Sequence, residues 1–551
     1  MSSDSPPTVV IGLEVHVQLS TQSKLFCGCS TKFGAGPNTQ TCPVCIGMPG
    51  TLPVMNRKAV ELAVRAALAL NCTIAPSTKW DRKNYYYPDL PKGYQISQYD
   101  LPLSHDGWLE IGDPQGAVKR IGILRAHLEE DAGKSMHDEA AGKAPSRIDL
   151  NRAGTPLLEI VSQPDLRSPD EAKTYLTELK LLLGYLGVSD CNMQEGSLRV
   201  DANINLHLDT PQGRIATPIV EVKNMNSFRA VERAMEYEAR RQLEVWRETG
   251  RKLGEVPKST RGWDDASQRT YLQRAKEESS DYRYFPEPDL VPITFSEAEV
   301  ERVRDSLGEL PAALRTRLER TYGITPYQSD VLVNQGRPLV DYYVDLADRL
   351  GDGKLAGNWV QQDVLRALGE QHLGIEQFPV GPAALAEVIE AVRAGRLTTG
   401  RGREVLARMI ADRQPFGPTI AALGIGAVDE SELENLCREL LAANPKIVAE
   451  VREGKLKGLG QLIGLAKKRN PNVDPNEVRR RCLELIPVHI SRTTLENALL
   501  DRGPGAAGAL DFLRQQLKAG RRGIVDEVDG SQSLLEDDGA GGFKTTPIAG
   551  S

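Results

Sequence analysis

Apolar and polar positions alternate strictly near the start of the chain. Ile11, Leu13, Val15, Val17 and Leu19 fall on one side of an extended segment, and Gly12, Glu14, His16 and Gln18 on the other. A strand with a core side and a working side is predicted. The same period recurs over 120–129, where Ile121, Ile123, Arg125, His127 and Glu129 share one side, and over 198–208, where Arg199, Asp201, Asn203, Asn205 and His207 do. Thr210-Pro-Gln-Gly213 then predicts a hairpin turn, and a return strand over 215–224 carries Glu221 and Lys223 on one side.

Helical spacing predicts α-helices over 56–70, 169–186 and 227–247. The second has Ser168 as N-cap, Pro169 at the first helical position, Glu171 completing a capping box, and Gly187 as its stop. From Ser296 the alternation ends and Leu, Ala, Arg and Glu recur at helical spacing. The expected class is α+β: a mainly antiparallel-sheet cradle domain over 8–295, an all-α helical domain over 296–402 and a small all-α domain over 403–486. Residues 487–551, rich in Gly and Asp, read as a loosely ordered extension.

A length of 551 residues suggests three or four domains, and 40% hydrophobic with 26% charged residues is the balance of a soluble globular protein. No run of about 18 apolar residues predicts a membrane span. The first residues have neither a basic start nor an apolar core, so no secretory signal is expected. Four unpaired cysteines suit a reducing compartment, and a cytoplasmic location follows. A net charge of −7 argues against non-specific coating of nucleic acid. Lys455, Lys457, Lys467, Lys468, Arg469, Arg479, Arg480 and Arg481 nevertheless concentrate positive charge that suits RNA phosphates.

Cys27, Cys29, Cys42 and Cys45 lie within twenty residues, a spacing that points to zinc. Four thiolates close the shell, so such a metal is structural; a disulfide pair and metal-free thiols are the alternatives. The polar faces carry a second chemistry. Glu14, His16, His127, Glu129, Asp201, Asn203 and Glu221 supply oxygen and imidazole ligands of the kind that suit Mg²⁺ with a nucleotide. Glu129-Glu130-Asp131 are adjacent carboxylates whose repulsion calls for a cation. Glu130 is one step off its strand's polar face, so a bulge or strand end is expected to re-aim it. The loop Asp81-Arg-Lys-Asn-Tyr-Tyr-Tyr-Pro-Asp, which includes Lys83 and Tyr85, interleaves basic and aromatic residues, a composition that suits phosphates and a stacked base. A half-buried edge is the plainer reading of the tyrosines. Ala132-Gly-Lys-Ser135 imitates the end of a P-loop, but Leu128 stands where its first glycine belongs. No amidase or nucleophile-elbow motif is present.

Five stretches carry a resemblance: Ile11-Gly-Leu-Glu-Val-His-Val-Gln-Leu, the 81–89 loop, His127-Leu-Glu-Glu-Asp-Ala-Gly-Lys, Asp149-Leu-Asn-Arg-Ala-Gly-Thr-Pro-Leu and Asp281-Tyr-Arg-Tyr-Phe-Pro-Glu-Pro-Asp. Through them residues 8–486 resemble the B-subunit family of aspartyl/glutamyl-tRNA(Asn/Gln) amidotransferases, including a YqeY-like tRNA-binding tail. The resemblance implies an ATP-dependent ligase that phosphorylates the side-chain carboxyl of misacylated Glu-tRNA(Gln) or Asp-tRNA(Asn). Ammonia from the amidase, or A, subunit then displaces the phosphate, within a complex that also holds a small C subunit. It further implies that Glu14, His16, Glu129, Glu130, Asp201 and Glu221 form the catalytic, Mg²⁺-binding cradle, and that Lys83 contacts phosphate. Family members without the four cysteines support a structural zinc. The rival expectation is a non-catalytic, zinc-containing tRNA scaffold.

Overall fold

In the computed structural model, the described residues are 6–112, 117–136, 147–211, 213–275, 282–425, 430–452, 456–470, 473–499, 513–515, 517, 523–537 and 543–548. The chain forms two compact units, one of residues up to 321 with 325–337, the other of 322–324 with 338–551.

In chain order the strands of the first unit are β1 (Thr8–Gln18), β2 (Thr73–Ile74), β3 (Ser77–Thr78), β4 (Asp81–Asn84), β5 (Tyr94–Ser97), β6 (Ser104–Gly112), β7 (Val118–Glu130), β8 (Lys134–Met136), β9 (Arg147–Asp149), β10 (Pro156–Ser162), β11 (Leu198–Thr210), β12 (Gly213–Ala216), β13 (Val220–Lys223), β14 (Ser259–Asp264), β15 (Arg269–Ala275), β16 (Phe285–Pro286) and β17 (Ile293–Thr294). Ten of them make one sheet, ordered β15-β14-β13-β11-β1-β10-β7-β6-β2, with β12 paired to β11. Every pairing is antiparallel except β13 with β14. The alternating segment at the start of the chain is thus a central strand.

The apolar face of that sheet is covered by α1 (Arg57–Ala69), α2 (Pro169–Tyr185) and α3 (Phe228–Thr249). Ile11, Leu13, Val15, Val17 and Leu19 are all buried in the resulting core. α2 starts where predicted, the Ser168 hydroxyl accepting from the Glu171 amide. Gly187, at φ +63°, follows the helix C-terminus in a conformation that glycine adopts without a Cβ penalty. The Glu171 carboxylate accepts from the Arg167 amide and pairs with Lys119 in place of a full capping box. The return strand is broken in two, since Pro218 between β12 and β13 cannot donate to a ladder.

One strand departs from simple alternation. β7 carries a bulge at Leu124: Arg125 pairs Val161, whereas Ile123 pairs Ser162. The extra residue reverses the phase of the strand. Ile121 and Ile123, expected on the polar side, are therefore buried with Ala126 and Leu128, while Leu124 is exposed.

The expected boundaries at 295/296 and 402/403 both shift. Helix Glu297–Asp305 brings Val300 and Val303 against the first core, and helix Pro311–Tyr322 is tied to α2 by Arg315–Glu178 at 2.9 Å, so the first unit runs on to 337. Position 402 falls inside helix Thr399–Asp412, and a separate helical core gathers residues from Leu433 to Ile486. The second unit is helical until there. The stretch read as loosely ordered then contributes a four-stranded sheet of Val488–Ser491, Gly523–Asp526, Gln532–Asp537 and Phe543–Pro547. Leu495, Leu513, Val525 and Leu535 give it a small core of its own, which compositional bias concealed. Among the described residues no helix is long and apolar enough to cross a membrane.

Candidate functional site

The polar face of the large sheet is assembled from rows of cross-strand neighbours. One row reads Arg199, His16, Glu159 and His127 across β11, β1, β10 and β7; the next pairs Asp201 with Glu14; a third sets Asn203 between Gly12 and Glu221. Antiparallel pairing places such neighbours about 5 Å apart, so four strands distant in sequence combine their polar residues.

The closest group is His16, Glu129 and Glu159, with one ligand atom from each lying within 4.8 Å of the others. His16 Nε2 is 3.7 Å from Glu129 and 3.5 Å from Glu159, and His127 Nε2 is 3.6 Å from Glu159. Both carboxylates are buried. Burial first, and then the Glu159 charge, push Glu129 up to about 7. Glu159 is held well below the carboxylate range by the imidazoles and Lys83, against the cost of burial. Burial likewise disfavours charge on His16, but Glu159, Glu129 and Asp201 outweigh it and raise the imidazole to about 8. His127 goes the other way, down to about 4, because burial dominates there. Two buried carboxylates and an imidazole crowded in this way fit a divalent cation, which would replace their shared protons.

Lys83 on β4 faces this group. Its pKa is raised because Glu129 and Glu159 outweigh burial, yet no carboxylate among the described residues lies within 4 Å of it. Its Nζ sits 5.0 Å from the Tyr282 ring centroid and 5.9 Å from that of Tyr85. The Tyr85 hydroxyl donates to Gln95 at 3.2 Å, which holds the ring beside Lys83. β4 pairs with β16, which brings Tyr282 and Tyr284 beside the 81–89 loop. Asp281 of the same motif, and Lys455 of the basic group, lie outside the described residues.

The remaining expected ligands divide. Glu14 accepts from Asn203 at 3.0 Å, Asp201 pairs with Lys223, and Glu221 accepts from Thr260 at 2.9 Å with Lys258 at 3.8 Å. They share the polar face but do not converge with His16 in one ligand set. Glu130 is separate altogether. β7 continues regularly through it, so the expected re-aiming bulge is absent there and lies instead at Leu124. Glu130 points to the opposite face, pairs with Lys92, and accepts from the Ile96 amide at 2.9 Å. It lines a cavity of about 210 Å³ shared with Lys24, Cys27 and Cys45. Asp131 turns back and is buried against Arg199 at 2.8 Å and Gln18 at 2.8 Å. Burial would raise its carboxyl, but the guanidinium groups of Arg199 and Arg152 hold it below its usual range.

Glu159 is the residue that sequence reasoning missed. Leu157-Leu-Glu-Ile-Val reads as a continuous apolar run because β10 is covered on both faces and buries Leu157 and Leu158 alike. A single glutamate in such a run was the available signal.

Beside the Glu130 cavity, the Sγ atoms of Cys27, Cys29, Cys42 and Cys45 all lie within 4.8 Å of one another. A tetrahedral zinc with Zn–S of about 2.3 Å sets sulfurs roughly 3.8 Å apart, so the knuckle could hold such a metal with little movement. Lys24 Nζ is 3.5 Å from Cys45 Sγ, and the Cys42 amide donates to that sulfur at 3.2 Å. Hydrogen bonding from Cys27 is the main reason that the Cys45 thiol is drawn down to about 4. In the second unit the basic group is partly neutralised: Arg480 pairs with Glu477 and Glu484, and Arg469 with Glu439.

Two buried carboxylates and an imidazole on the polar face of a mainly antiparallel sheet, with a lysine facing them and a separate four-cysteine cluster, make a class of site that could hold metal ions at two places. Comparison with known proteins gives the family. The GatB/GatE catalytic domain matches residues 9–301, and a second GatB domain matches 341–486. A relative from Rhodopirellula baltica, named as the B subunit of an aspartyl/glutamyl-tRNA(Asn/Gln) amidotransferase, is 58% identical over 482 residues, covering 87% of this chain and 97% of the relative. One of the same name from Moorella thermoacetica is 48% identical over 461 residues, covering 83% and 95%. The chain belongs to the GatB/GatE family.

Proposed function

We propose that this chain is the component of a tRNA-dependent amidotransferase that activates the side-chain carboxyl of a misacylated tRNA. The substrates are Glu-tRNA(Gln) or Asp-tRNA(Asn), the reaction is an ATP-dependent ligation, and the amido group reaches the site from a glutaminase partner, the A subunit, in a complex with a small C subunit. The observation that carries this reading is the His16–Glu129–Glu159 group with Lys83 above it, in the part of the chain that matches the catalytic domain.

A carboxylate is a poor acyl donor, and transfer of a phosphoryl group to it creates a good leaving group. The transfer brings several negative charges together, so the site must supply cations. Mg²⁺ held by His16, Glu129 and Glu159 would offset charge on the phosphoryl oxygens. Lys83 adds a fixed positive charge on the same side, its ammonium kept protonated by the two glutamates. Glu14, Asp201 and Glu221 line the adjoining part of the face, where Lys223 and Lys258 balance them. The cysteine knuckle would hold zinc as a structural staple, and the exposed Lys467, Lys468 and Arg479 offer the second unit a surface for tRNA phosphates.

The test is Mg²⁺-dependent ADP release with Glu-tRNA(Gln) in the assembled complex. Glu129→Gln and Glu159→Gln should each abolish it while tRNA binding remains. ADP release that survives both substitutions would favour the scaffold reading, in which the sheet face only grips the acceptor end.

A further inference from the structure

The cations on the polar sheet face are unequal. Arg199 is paired with Asp131, Lys223 with Asp201, and Lys258 lies near Glu221. Arg125 has no carboxylate within 4 Å among the described residues. Its one recorded hydrogen bond is a long one, Nη1 to the Tyr99 carbonyl at 3.5 Å, and its Nε is buried without a partner. The buried Nε has lost the hydrogen bond it made in water, while the Nη1 end stays open to solvent and so accessible to an arriving anion.

Arg125 is also placed deliberately. The bulge at Leu124 reverses the phase of β7, so Arg125 is the first residue of the strand's polar stretch, ahead of His127 and Glu129. Across the bulge β6 holds Asp106 at φ +55°, so both strands deviate at this point. Bulges of this kind re-aim side chains beside functional sites. Tyr99, whose carbonyl receives the guanidinium, stacks on Tyr284 with ring centroids 4.0 Å apart and planes 10° from parallel. The stack fixes the segment that holds Arg125 against the stretch leading into β16. Tyr284 is within electrostatic reach of Arg125, Lys83, Glu129 and Glu159 together. A cation-binding acidic group and an unpaired guanidinium thus flank one tyrosine.

We infer that Arg125 is the phosphate-binding residue for a nucleotide bound beside the acidic group, its planar fork taking two phosphate oxygens while the metal and Lys83 serve the reacting end. This rests on the functional reading above. The same chemistry is offered by ATP and by the 3′-terminal phosphodiester of tRNA, so binding of each must be measured separately.

The experiment compares wild type, Arg125→Gln and Arg125→Lys in the assembled complex. Three equilibrium affinities are read: Mg-ADP, aminoacyl-tRNA, and Mn²⁺ by electron paramagnetic resonance. Loss of one charge-assisted phosphate contact should weaken one of the two nucleotide ligands about tenfold in Arg125→Gln. Arg125→Lys should recover part of that loss, and Mn²⁺ affinity should stay at the wild-type value, which also reports an intact fold. The ligand that weakens identifies the source of the phosphate. Unchanged affinities for both ligands would overturn the assignment, as would a parallel fall in Mn²⁺ affinity, which would make Arg125 a prop for the acidic group. A wild-type complex that binds neither nucleotide refutes the functional reading itself, a result distinct from a variant that matches a competent wild type.

Discussion

Proton–metal competition at the acidic group gives the sharpest prediction. A divalent cation must displace the proton that the Glu129–Glu159 pair releases near pH 7, where burial and mutual repulsion have raised Glu129 to about 7. It must also displace the proton of His16, raised to about 8 by Glu159 and Glu129 against the opposing effect of burial. Above pH 8 affinity should therefore be level. Between 8 and 7 only His16 competes, at about tenfold per pH unit, and below 7 both protons compete, at about a hundredfold per unit. From pH 8 to pH 6 Mn²⁺ should bind roughly 500-fold more weakly. Glu159→Gln removes the leading interaction that raises His16 and the charge that crowds Glu129, so both protons leave at lower pH. The variant should bind Mn²⁺ more weakly at pH 8, for loss of a ligand, yet vary less than about tenfold between pH 8 and 6. Mn²⁺ titration by electron paramagnetic resonance across this range is the assay. A wild-type affinity changing less than about threefold over those two units, or a Glu159→Gln variant with the wild-type slope, would refute the ligand assignment.

Three further outcomes are expected. Cys42→Ser should abolish zinc in elemental analysis of the purified protein and lower its melting temperature by several degrees, while ADP release per folded molecule changes less than about twofold, as a closed structural site requires. Lys92→Met strands the buried Glu130 carboxylate and should cost about 3 kcal/mol in urea unfolding, whereas the double variant Lys92→Met/Glu130→Gln should recover most of it. Leu176→Ala in α2, at a fully buried position beneath the sheet, should cost about 2–5 kcal/mol by the same measurement, with Mn²⁺ affinity unchanged.

The period-two pattern was legible wherever one face of a strand meets the core and the other does not. That condition holds for β1 and β11, and there the faces follow the alternation residue by residue. It fails for β10, which is buried on both faces, so that Leu157 and Glu159 are covered along with Leu158 and Ile160. It also fails midway along β7, where the bulge at Leu124 exchanges the faces. Neither failure is local: a bulge is defined by the partner strand, and a buried glutamate is tolerated only because two imidazoles and a lysine come to it. Helix starts depend on short-range caps, so Ser168 marked the start of α2 from sequence. The extension past 487 misled because its Gly- and Asp-rich composition concealed the few apolar residues of a small core.

By itself, then, the chain's sequence determined the polar faces of β1 and β11 and the grouping of the four cysteines, because strand alternation and cysteine spacing are written within a few residues. Tertiary structure decided which polar residues meet. Registers between β11, β1, β10 and β7 place Glu159 between His16 and His127, pass over Glu130, and leave Arg125 without a carboxylate partner among the described residues. Those outcomes depend on contacts between segments that lie far apart along the chain, which no periodicity encodes.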